Sequence, residues 1–379
     1  MSKICLVNYF MWPVLSGNTV AGVSTGGEEV QHSLLAKALS ESGADVSVVT
    51  GDFGQIDGST HHDIKLFKTF KMSSGLPGVR MLYPRLTHLM RALKRADADV
   101  YYVSCAGPIV GYVAAFCKLF GKRFVFRAAI DADCELRPLY LHHRHELPLY
   151  RFGLRNTQTR LVQSEKQRAS LTQNYGLDSQ IAGMLVDWPE TVPPIDERPI
   201  DVLWLANLKP AKRPDWIPPV CDLLPDFAIQ IAGGKDHHRP DLYDLVSDYA
   251  ADHPNVEFHG AVPYTQSIRL FDQTKVFINT SEFEGFPNTY LQSWARGIPV
   301  VATYDPDGLI QKRGLGVAVS TPAELAHVVR RLLSSPSEWL ECSQRCIQFM
   351  EERYRNDIVL QPYRQAFGLP RSDSWNRSA

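Results

Sequence analysis

Residues 275–302 read KVFINTSEFEGFPNTYLQSWARGIPVVA, and this stretch is the clearest indication of the fold class. It opens with an apolar run typical of a β-strand, Lys275–Asn279, and it closes with a second such run, Ile298–Ala302. Between the two runs lie a polar loop containing Glu284 and a segment of helical character that ends at Arg296-Gly297. A strand, a helix and a second strand in such close succession predict a βαβ unit, and therefore a parallel sheet.

The loop within this stretch has the character of a ligand site. Pro287 suits the first position of a helix, where its missing N–H costs no hydrogen bond. The N–H groups of a first helical turn favour an anion beyond the strand ends, and the carboxylate of Glu284 would lie beside that anion. The combination predicts a ligand with hydroxyl groups at one end and phosphates at the other, such as a sugar nucleotide.

The alternation of strands and helices extends through the first half of the chain. At 379 residues the chain is long enough for two domains with separate cores. We expect strands near residues 4–9, 45–50, 64–70, 100–104, 123–127 and 160–163, with helices over about 27–42, 80–96, 109–120, 147–154 and 165–173. This pattern is typical of an α/β protein.

The alternation is interrupted at residues 188–199, WPETVPPIDERP, which are rich in proline and follow neither a helical nor a strand period. Such a segment predicts an interdomain linker. After it we expect strands near 202–206, 228–232, 256–258, 276–279, 299–302 and 317–319. The predicted organisation is an N-terminal Rossmann-like domain over 1–190, a linker over 191–199, a C-terminal Rossmann-like domain over 200–354, and a C-terminal helix with a polar tail over 355–379.

Composition narrows the functional class. The net charge of −1 argues against a general nucleic-acid binder, which is normally basic. The seven cysteines are scattered and lie mostly in apolar runs, so we expect buried free thiols in a reducing compartment. Apolar runs shorter than the roughly 18 residues of a membrane span, together with an N-terminus unlike a signal peptide, predict a cytoplasmic protein.

The pattern EGFPNTYLQ at residues 284–292, with WARGIPVVAT at 294–303, resembles the donor-site signature of family 4 retaining glycosyltransferases, which belong to the glycosyl transferases group 1. Three other segments resemble that family in order and place. They are GGEE at 26–29 with GADVSVVT at 43–50, VLWLANLKPAK at 202–212, and NVEFHG at 255–260. The resemblance implies a GT-B fold, in which two Rossmann-like domains face each other across a cleft and the C-terminal helix returns to the first domain. It also implies that the domain over 1–190 lies on the acceptor side and that the domain over 200–354 binds the donor.

The resemblance also implies roles for individual residues. Glu284 would orient the donor sugar through its hydroxyl groups, and Lys212 would neutralise the diphosphate leaving group. Gly26 and Gly27 would allow close approach to the nucleotide phosphates. The full set of implied donor-binding residues is Gly26, Gly27, Arg127, Asn207, Lys209, Gly285, Phe286, Pro287, Asn288, Thr289 and Gln292.

The sequence departs from the family pattern at three positions. Gln292 stands where the family usually has the glutamate that holds the ribose, and an amide can still bond to a hydroxyl. Asn207 stands where an arginine often binds the diphosphate, which leaves Lys209 or Arg213 as substitutes. The histidine that many members place after a strand of the first domain is not evident, and Asp131 is our candidate for that catalytic position.

The implied reaction is transfer of a hexose-type sugar from a nucleotide-diphosphate sugar to a hydroxyl acceptor, which is a glycan, a lipid-linked molecule or a small molecule. No cofactor and no metal are expected. The acidic pair of Asp131 and Asp133 imitates a metal-binding motif of a different glycosyltransferase fold but lacks its context. Two other classes stay open: a non-hydrolysing sugar-nucleotide epimerase, and a catalytically silent protein that binds sugar nucleotides.

Residues 65–95 form a basic region, with no acidic residue between Asp63 and Asp97. The eight cations are interleaved with apolar residues, and they are Lys65, Lys68, Lys71, Arg80, Arg85, Arg91, Lys94 and Arg95. One reading is a peripheral contact with an anionic membrane surface, which suits a lipid-linked acceptor. The other reading is an ordinary core helix with a solvated basic face.

Overall fold

The computed structural model describes residues 2–18, 26–76, 79–138, 141, 143 and 145–370, and the chain divides into two compact units. The first unit comprises Met1–Leu185 and Asn356–Ala379, and the second comprises Val186–Arg355. The last helix, α14 (Asn356–Phe367), therefore belongs to the first unit, as expected from the resemblance. The predicted polar tail lies outside the described residues after position 370.

The first unit is built on one sheet of eight strands. They are β1 (Lys3–Val7), β2 (Asp45–Thr50), β3 (Thr60–His61), β4 (Ile64–Lys68), β5 (Val100–Ser104), β6 (Arg123–Arg127), β7 (Thr159–Val162) and β8 (Gln180–Ile181). Their order is β3-β4-β2-β1-β5-β6-β7-β8, and every pair is parallel except the short β3–β4 pair. The central strands are apolar and buried on both faces, as is usual for a parallel sheet covered by helices.

The helices of this unit lie largely where the sequence predicts, except that α1 was not predicted. Besides α14 they are α1 (Met11–Ser16), α2 (Gly27–Glu41), α3 (Thr87–Ala96), α4 (Pro108–Phe120), α5 (Glu146–Arg155) and α6 (Glu165–Tyr175). Helix α2 is followed by Gly43 at a φ of 82°, a left-handed conformation that favours glycine. The hydroxyl of Ser164 accepts a hydrogen bond from the Gln167 N–H and caps α6.

The predicted helix over 80–96 is interrupted. A π-helical turn covers Met81–Leu86, and the regular α-helix begins only at Thr87. Tyr83 has an extended backbone, with φ −132° and ψ 125°, because Pro84 disfavours the helical conformation in the residue before it. The uninterrupted helix of the prediction was therefore wrong.

The second unit contains a fully parallel sheet of six strands: β9 (Ile200–Leu205), β10 (Ile229–Ala232), β11 (Val256–Phe258), β12 (Thr274–Asn279), β13 (Val300–Ala302) and β14 (Gly316–Ala318). Its order is β11-β10-β9-β12-β13-β14. Its helices are α7 (Ile217–Asp222), α8 (Asp241–Asp252), α9 (Tyr264–Asp272), α10 (Asn288–Trp294), α11 (Leu309–Arg313), α12 (Pro322–Ser334) and α13 (Pro336–Arg353).

The end of the predicted linker packs into the second unit. Arg198 is buried, and its guanidinium donates hydrogen bonds to the carbonyls of Thr274, at 2.8 Å, and Arg296, at 2.9 Å. These bonds fix the chain just before β9. In the part of the chain that the structure describes, no helix is long and apolar enough to cross a membrane.

The strand orders locate the ligand-binding edge of each sheet. In an open parallel sheet, ligands bind beyond the carboxyl ends of the strands at the point where the strand order reverses. In the second sheet, β10 and β11 are added on one side of β9, whereas β12, β13 and β14 are added on the other side. The reversal of strand order therefore lies between β9 and β12. In the first sheet it lies between β1 and β5.

Candidate active site

Glu284 and Lys212 meet at the reversal point of the second sheet. Lys212 ends a 3₁₀ turn, Pro210–Lys212, in the loop after β9, and Glu284 lies in the loop after β12. The Lys212 Nζ donates to the Glu284 Oε1, and the Ser281 hydroxyl donates to the same oxygen at 2.7 Å. The side chains of Lys212 and Glu284 are 24% and 14% exposed, so both are partly accessible to solvent. The structure thus brings together two predicted catalytic residues that are distant in sequence.

Buried hydrogen bonds hold the two loops in register. The Thr280 hydroxyl donates to the Lys212 carbonyl at 2.6 Å and accepts from the Trp204 indole N–H at 2.9 Å. The Glu282 N–H donates to the Ala211 carbonyl at 2.9 Å. Because Thr280 and Trp204 are fully buried, breaking this network would leave polar groups without partners. The position of Lys212 against Glu284 is therefore fixed by the loop after β12.

The last residue of β12, Asn279, and the two residues after it were missed by the sequence analysis as parts of the site. Asn279 accepts the Ser281 N–H through its Oδ1 at 2.9 Å, and the Thr303 hydroxyl donates to the Ser281 carbonyl at 2.6 Å. Asn279, Thr280 and Ser281 are all buried. Three polar residues that follow an apolar strand without a break were the signal, since such a run must find its hydrogen bonds inside the protein.

The loop from Glu284 reaches α10 through an aromatic anchor. Phe286 is almost fully buried, and its ring packs 6.3 Å from the ring of Trp294 and 6.1 Å from that of Tyr354. Gly285 and Pro287 are buried beside it. The prediction that Pro287 occupies the first helical position was wrong. Its ψ of 122° is extended, and α10 begins one residue later, at Asn288.

The first turn of α10 carries the remaining predicted residues of this segment. Asn288 and Thr289 are half-buried, and Gln292 lies on the following turn. Only 4% of Gln292 is exposed. Its Nε2 donates to the Tyr264 hydroxyl at 3.1 Å, and its Oε1 accepts from the Arg296 guanidinium at 3.0 Å. The amide therefore joins α9 to α10, and its contact with a ribose stays a prediction.

Asn207 lies beside Lys212 on the loop after β9, and its Oδ1 accepts from the Gly234 N–H at 3.2 Å. A glycine is required at position 233, because a Cβ there would lie 1.8 Å from the Ala206 carbonyl oxygen. The close approach of these two loops places Asn207 at the edge of the sheet. Asn207 itself acts as an acceptor for the neighbouring loop.

The two substitutes expected for a second diphosphate cation differ in their surroundings. Lys209 is exposed. Arg213 forms a bidentate pair with Asp215, in which Nε donates at 3.0 Å and Nη2 at 2.8 Å. Asp215 is a direct competitor for the Arg213 guanidinium, so Lys209 is the better placed of the two to contact an anion.

In the first unit, Gly26 and Gly27 stand at the start of α2. The Gly26 N–H donates to the Glu29 carboxylate at 2.7 Å, which caps the helix from within. A Cβ at Gly26 would lie 3.0 Å from that carboxylate oxygen, which is a tight contact. Their approach to nucleotide phosphates stays a prediction.

Arg127 is the last residue of β6, and Asp131 begins the 3₁₀ turn that follows this strand. Arg127 is 1% exposed, so a direct contact with a donor would require its side chain to become accessible. The Asp131 carboxylate pairs with Lys166 at 2.7 Å and accepts from the Gln167 amide at 3.1 Å. Its catalytic role stays a prediction.

Residues 199–335 match the family model described as glycosyl transferases group 1. A search of curated proteins finds no match. Solved structures are similar over 97% of this chain and 100% of each of the following chains. They are sucrose-phosphate synthase from Thermosynechococcus elongatus (17% identity, TM-score 0.74), HepE from Anabaena in complex with UDP and glucose (13%, 0.74), and WaaG, a glycosyltransferase involved in lipopolysaccharide biosynthesis (15%, 0.68).

At these identities the likeness establishes the fold and nothing finer. The fold is GT-B, as the resemblance implies, and each unit contributes one doubly wound sheet. The family match covers the segment that contains β9, the loop of Lys212, β12 and the loop of Glu284. The chain therefore has a GT-B fold, in which residues 199–335 match the model of the glycosyl transferases group 1.

Proposed function

We propose that this protein is a retaining glycosyltransferase of family 4 that moves a hexose-type sugar from a nucleotide-diphosphate sugar to a hydroxyl acceptor. The observation that carries the proposal is the meeting of Glu284 and Lys212 at the reversal point of the second sheet, inside the matched family segment. A carboxylate and an ammonium at that edge suit the two ends of a sugar diphosphate. HepE was solved with UDP and glucose, which makes UDP-glucose the first donor to test.

The proposed chemistry divides between the two side chains. Glu284 accepts hydrogen bonds from sugar hydroxyls and fixes the orientation of the ring. Lys212 neutralises the charge that builds on the diphosphate as the bond from the anomeric carbon to the phosphate oxygen breaks. The acceptor oxygen bonds to the same face of that carbon, and the acceptor proton passes to the departing phosphate oxygen. A separate protein base is then unnecessary.

Other residues have supporting roles in this proposal. Lys209 and Asn207 are placed on the same loop as Lys212 to contact the diphosphate, while Gly285, Phe286 and the start of α10 line the sugar and phosphate positions. Gln292 contacts the ribose more weakly than a glutamate would, since its amide is already bonded to Tyr264 and Arg296. In the first unit, Gly26, Gly27, Arg127 and Asp131 keep their predicted donor and catalytic roles. Because Lys212 supplies the cation, we expect turnover to be insensitive to chelators.

The basic region 65–95 supports a peripheral contact with a membrane that carries a lipid-linked acceptor. Leu76, Leu82 and Tyr83 are large apolar side chains at 74%, 67% and 66% exposure, and the exposed cations Lys71 and Arg80 lie beside them in sequence. Exposed apolar residues next to cations suit an anionic lipid surface better than they suit water.

The proposed function is tested by a thermal-shift screen of UDP, GDP, ADP and their sugars, because a ligand that binds only the folded state raises the melting temperature. The best donor is then used to compare Glu284→Ala with Glu282→Ala, an exposed carboxylate on the same loop. We expect Glu284→Ala to lower turnover at least about tenfold, since hydrogen bonds to charged groups contribute about 1.5–3 kcal/mol. Unchanged turnover in Glu284→Ala would overturn the assignment.

The same experiment separates the other two classes. An epimerase would convert the donor sugar alone, without an acceptor, and would release a changed sugar nucleotide or sugar. A silent binding protein would show the thermal shift but no donor consumption with any acceptor. The proposal is supported if the sugar is transferred to the acceptor and the product has the same anomeric configuration as the donor.

A further inference from the structure

A glutamate that the proposed function does not use lies at the reversal point of the first sheet. Glu28 is the second residue of α2, and its Oε1 accepts hydrogen bonds from the Asn8 amide at 3.3 Å and the Ser104 hydroxyl at 3.1 Å. Asn8 directly follows β1, and Ser104 ends β5. One carboxyl oxygen thus bridges the two strands between which an open parallel sheet binds its ligands.

The partners of Glu28 are themselves held in place. The Asn8 Oδ1 accepts the Phe10 N–H at 2.8 Å, so the amide is turned with its N–H groups toward Glu28. His32, one helical turn further along α2, is buried and places its Nδ1 3.8 Å from the same carboxyl oxygen. Burial lowers the pKa of His32 to about 4, so the ring is neutral near pH 7. The carboxyl is therefore oriented mainly by neutral groups.

The environment of Glu28 is unfavourable for a carboxylate that has only a structural role. Burial, followed by the charges of Glu29 and Asp133, raises the pKa of Glu28 well above its usual value. The charge of Arg127 is also near. A carboxyl kept under such conditions at a ligand-binding edge is a candidate for a functional group.

The Glu28 side chain is partly accessible. It is 23% exposed, although its Oε1 is bonded on two sides. Phe10 is 36% exposed, and its N–H bonds to Asn8, which in turn bonds to Glu28. A partly exposed carboxylic side chain that is joined through Asn8 to the segment of an exposed aromatic ring is the mixture of a few polar groups and apolar surface that small-molecule sites use. A sugar has matching hydroxyl groups and an apolar ring face.

We propose that Glu28 binds a hydroxyl group of the acceptor sugar, with Phe10 covering the adjacent ring face. The inference rests on the proposed glycosyl transfer and gives it a carbohydrate acceptor with its binding residue in the first unit. Glu28 acts here by accepting a hydrogen bond, and the acceptor proton still leaves on the departing phosphate oxygen. Glu28 therefore sets acceptor affinity rather than donor affinity.

The test measures binding of three probes, methyl α-D-glucopyranoside, methyl α-D-mannopyranoside and methyl β-D-galactopyranoside, by saturation-transfer NMR on the full chain. The variant Glu28→Leu removes both carboxyl oxygens at similar size, and Glu28→Gln keeps an acceptor oxygen. Glu41→Leu, at the exposed end of the same helix, is the matched control. We expect at least one glycoside to bind the wild type, with affinity about tenfold lower in Glu28→Leu and nearly unchanged in the other two variants.

A second measurement separates this inference from the proposed function. The affinity of UDP-glucose should be equal in Glu28→Leu and the wild type, and calorimetry that still shows the unfolding transition of the first unit establishes that the variant is folded there. Wild-type-like glycoside binding by Glu28→Leu, or no glycoside binding by the wild type, overturns the inference. Failure of every nucleotide sugar to bind the wild type instead overturns the proposed function, whatever the glycosides do.

Discussion

At the scale of single residues, the ion pair between Lys212 and Glu284 satisfies the site before any ligand arrives. The two side chains are partly buried, and each provides the opposite charge that compensates the other. Under the proposed function, a diphosphate that takes the ammonium and a sugar that takes the carboxylate would have to replace this pair. Binding of the two ends of the donor would then be coupled, because the first end to bind releases the residue that the second requires.

If the donor replaces the ion pair, the variant Glu284→Gln should gain affinity for UDP but lose part of the extra affinity that the sugar of UDP-glucose provides. In Glu284→Gln the ammonium of Lys212 is no longer held by a carboxylate, so we expect UDP to bind about threefold to tenfold more tightly. The added affinity of UDP-glucose over UDP should fall, because an amide is a weaker acceptor for sugar hydroxyls. Isothermal titration of both ligands measures the two effects.

Glu282→Gln serves as the control for this comparison, since it removes a carboxylate from the same loop without touching Lys212. Equal UDP affinity in Glu284→Gln and the wild type would show that the ion pair does not compete with the diphosphate.

His32 predicts a pH dependence of stability. Its pKa in the folded state, about 4, lies below the usual histidine value of about 6.5 because the ring is buried. Between these values the unfolded chain binds more protons than the folded chain, so this contribution to stability is complete above about pH 6.5 and is lost as the pH falls toward 4. From about pH 7 to about pH 5 the loss should be about 2 kcal/mol, as measured by urea unfolding.

His32→Leu should flatten this slope, whereas His238→Leu, at an exposed position, should leave it intact. The raised pKa of Glu28 contributes a slope of opposite sign. Because Glu28 lies 3.8 Å from His32, the two contributions are separated in a Glu28→Gln background, where the slope that His32→Leu still removes reports His32. Parallel curves for His32→Leu and wild type would contradict the assignment.

Glu284 and the site residues next to it in the second unit were predictable because they lie in one contiguous motif. Glu284 and its neighbours are recognised from a strand, a loop and a helix start within 28 residues of sequence. Glu28 was missed because its importance depends on Asn8 and Ser104, and the latter is joined to it only by the pairing of β1 with β5. Thr280 was missed for the same reason, since its bonds to Trp204 and Lys212 depend on the pairing of β9 with β12.

At the scale of elements, the basic region 65–95 is less uniform than its sequence indicates. Lys68 pairs with Asp52 at 3.3 Å, and Arg95 pairs with Asp57. Both acidic partners lie between β2 and β3, outside residues 65–95, so the charge pattern of the basic region alone does not reveal these pairs. The cations available to a membrane are therefore fewer than the eight in the sequence, and exposed examples are Lys71 and Arg80.

This distribution predicts which charges control membrane binding. We expect the protein to sediment with vesicles that contain phosphatidylglycerol, but not with pure phosphatidylcholine vesicles, and to be released by added salt. Reversing the two exposed charges, in Lys71→Glu with Arg80→Glu, should weaken binding by more than about tenfold, since each cation contributes about 1 kcal/mol.

The matched control reverses two exposed charges of the second unit, in Arg330→Glu with Arg331→Glu. If the control weakens vesicle binding as much as the first pair does, the contact is non-specific. Binding that responds to neither lipid charge nor salt would exclude the proposed surface.

At the scale of the whole molecule, the alternation of strands and helices predicted two parallel sheets, but not the order of strands within them. Strand order depends on which side of the growing sheet each crossover places the next strand, and the local pattern is the same for both sides. The short strands β3 and β8 were also missed, because two residues give no period to detect. The order is what places the two ligand-binding edges, so the sites could not be assembled from the pattern alone.

The last helix of the chain, α14, completes the first unit although it follows the second unit in sequence. The first unit is not complete until α14 has been added, since that helix buries Tyr363 and Phe367 in it. The two rings lie 6.3 Å and 5.7 Å from the ring of Tyr102 on β5, and the Tyr363 hydroxyl donates to the Gly183 carbonyl at 2.9 Å. Loss of the helix should therefore destabilise the first unit alone.

Phe367→Ala in the full chain tests this dependence. Removing a fully buried phenylalanine costs about 3–5 kcal/mol, which should lower the melting temperature of the first unit by about 10 °C. Calorimetry with and without UDP assigns the transitions, because under the proposed function most of the contacts with UDP lie in the second unit, so UDP raises the transition of that unit more than that of the first. Gln365→Ala, exposed on the same helix, should change neither transition. A fall in the UDP-sensitive transition of Phe367→Ala would mean that α14 stabilises the second unit as well.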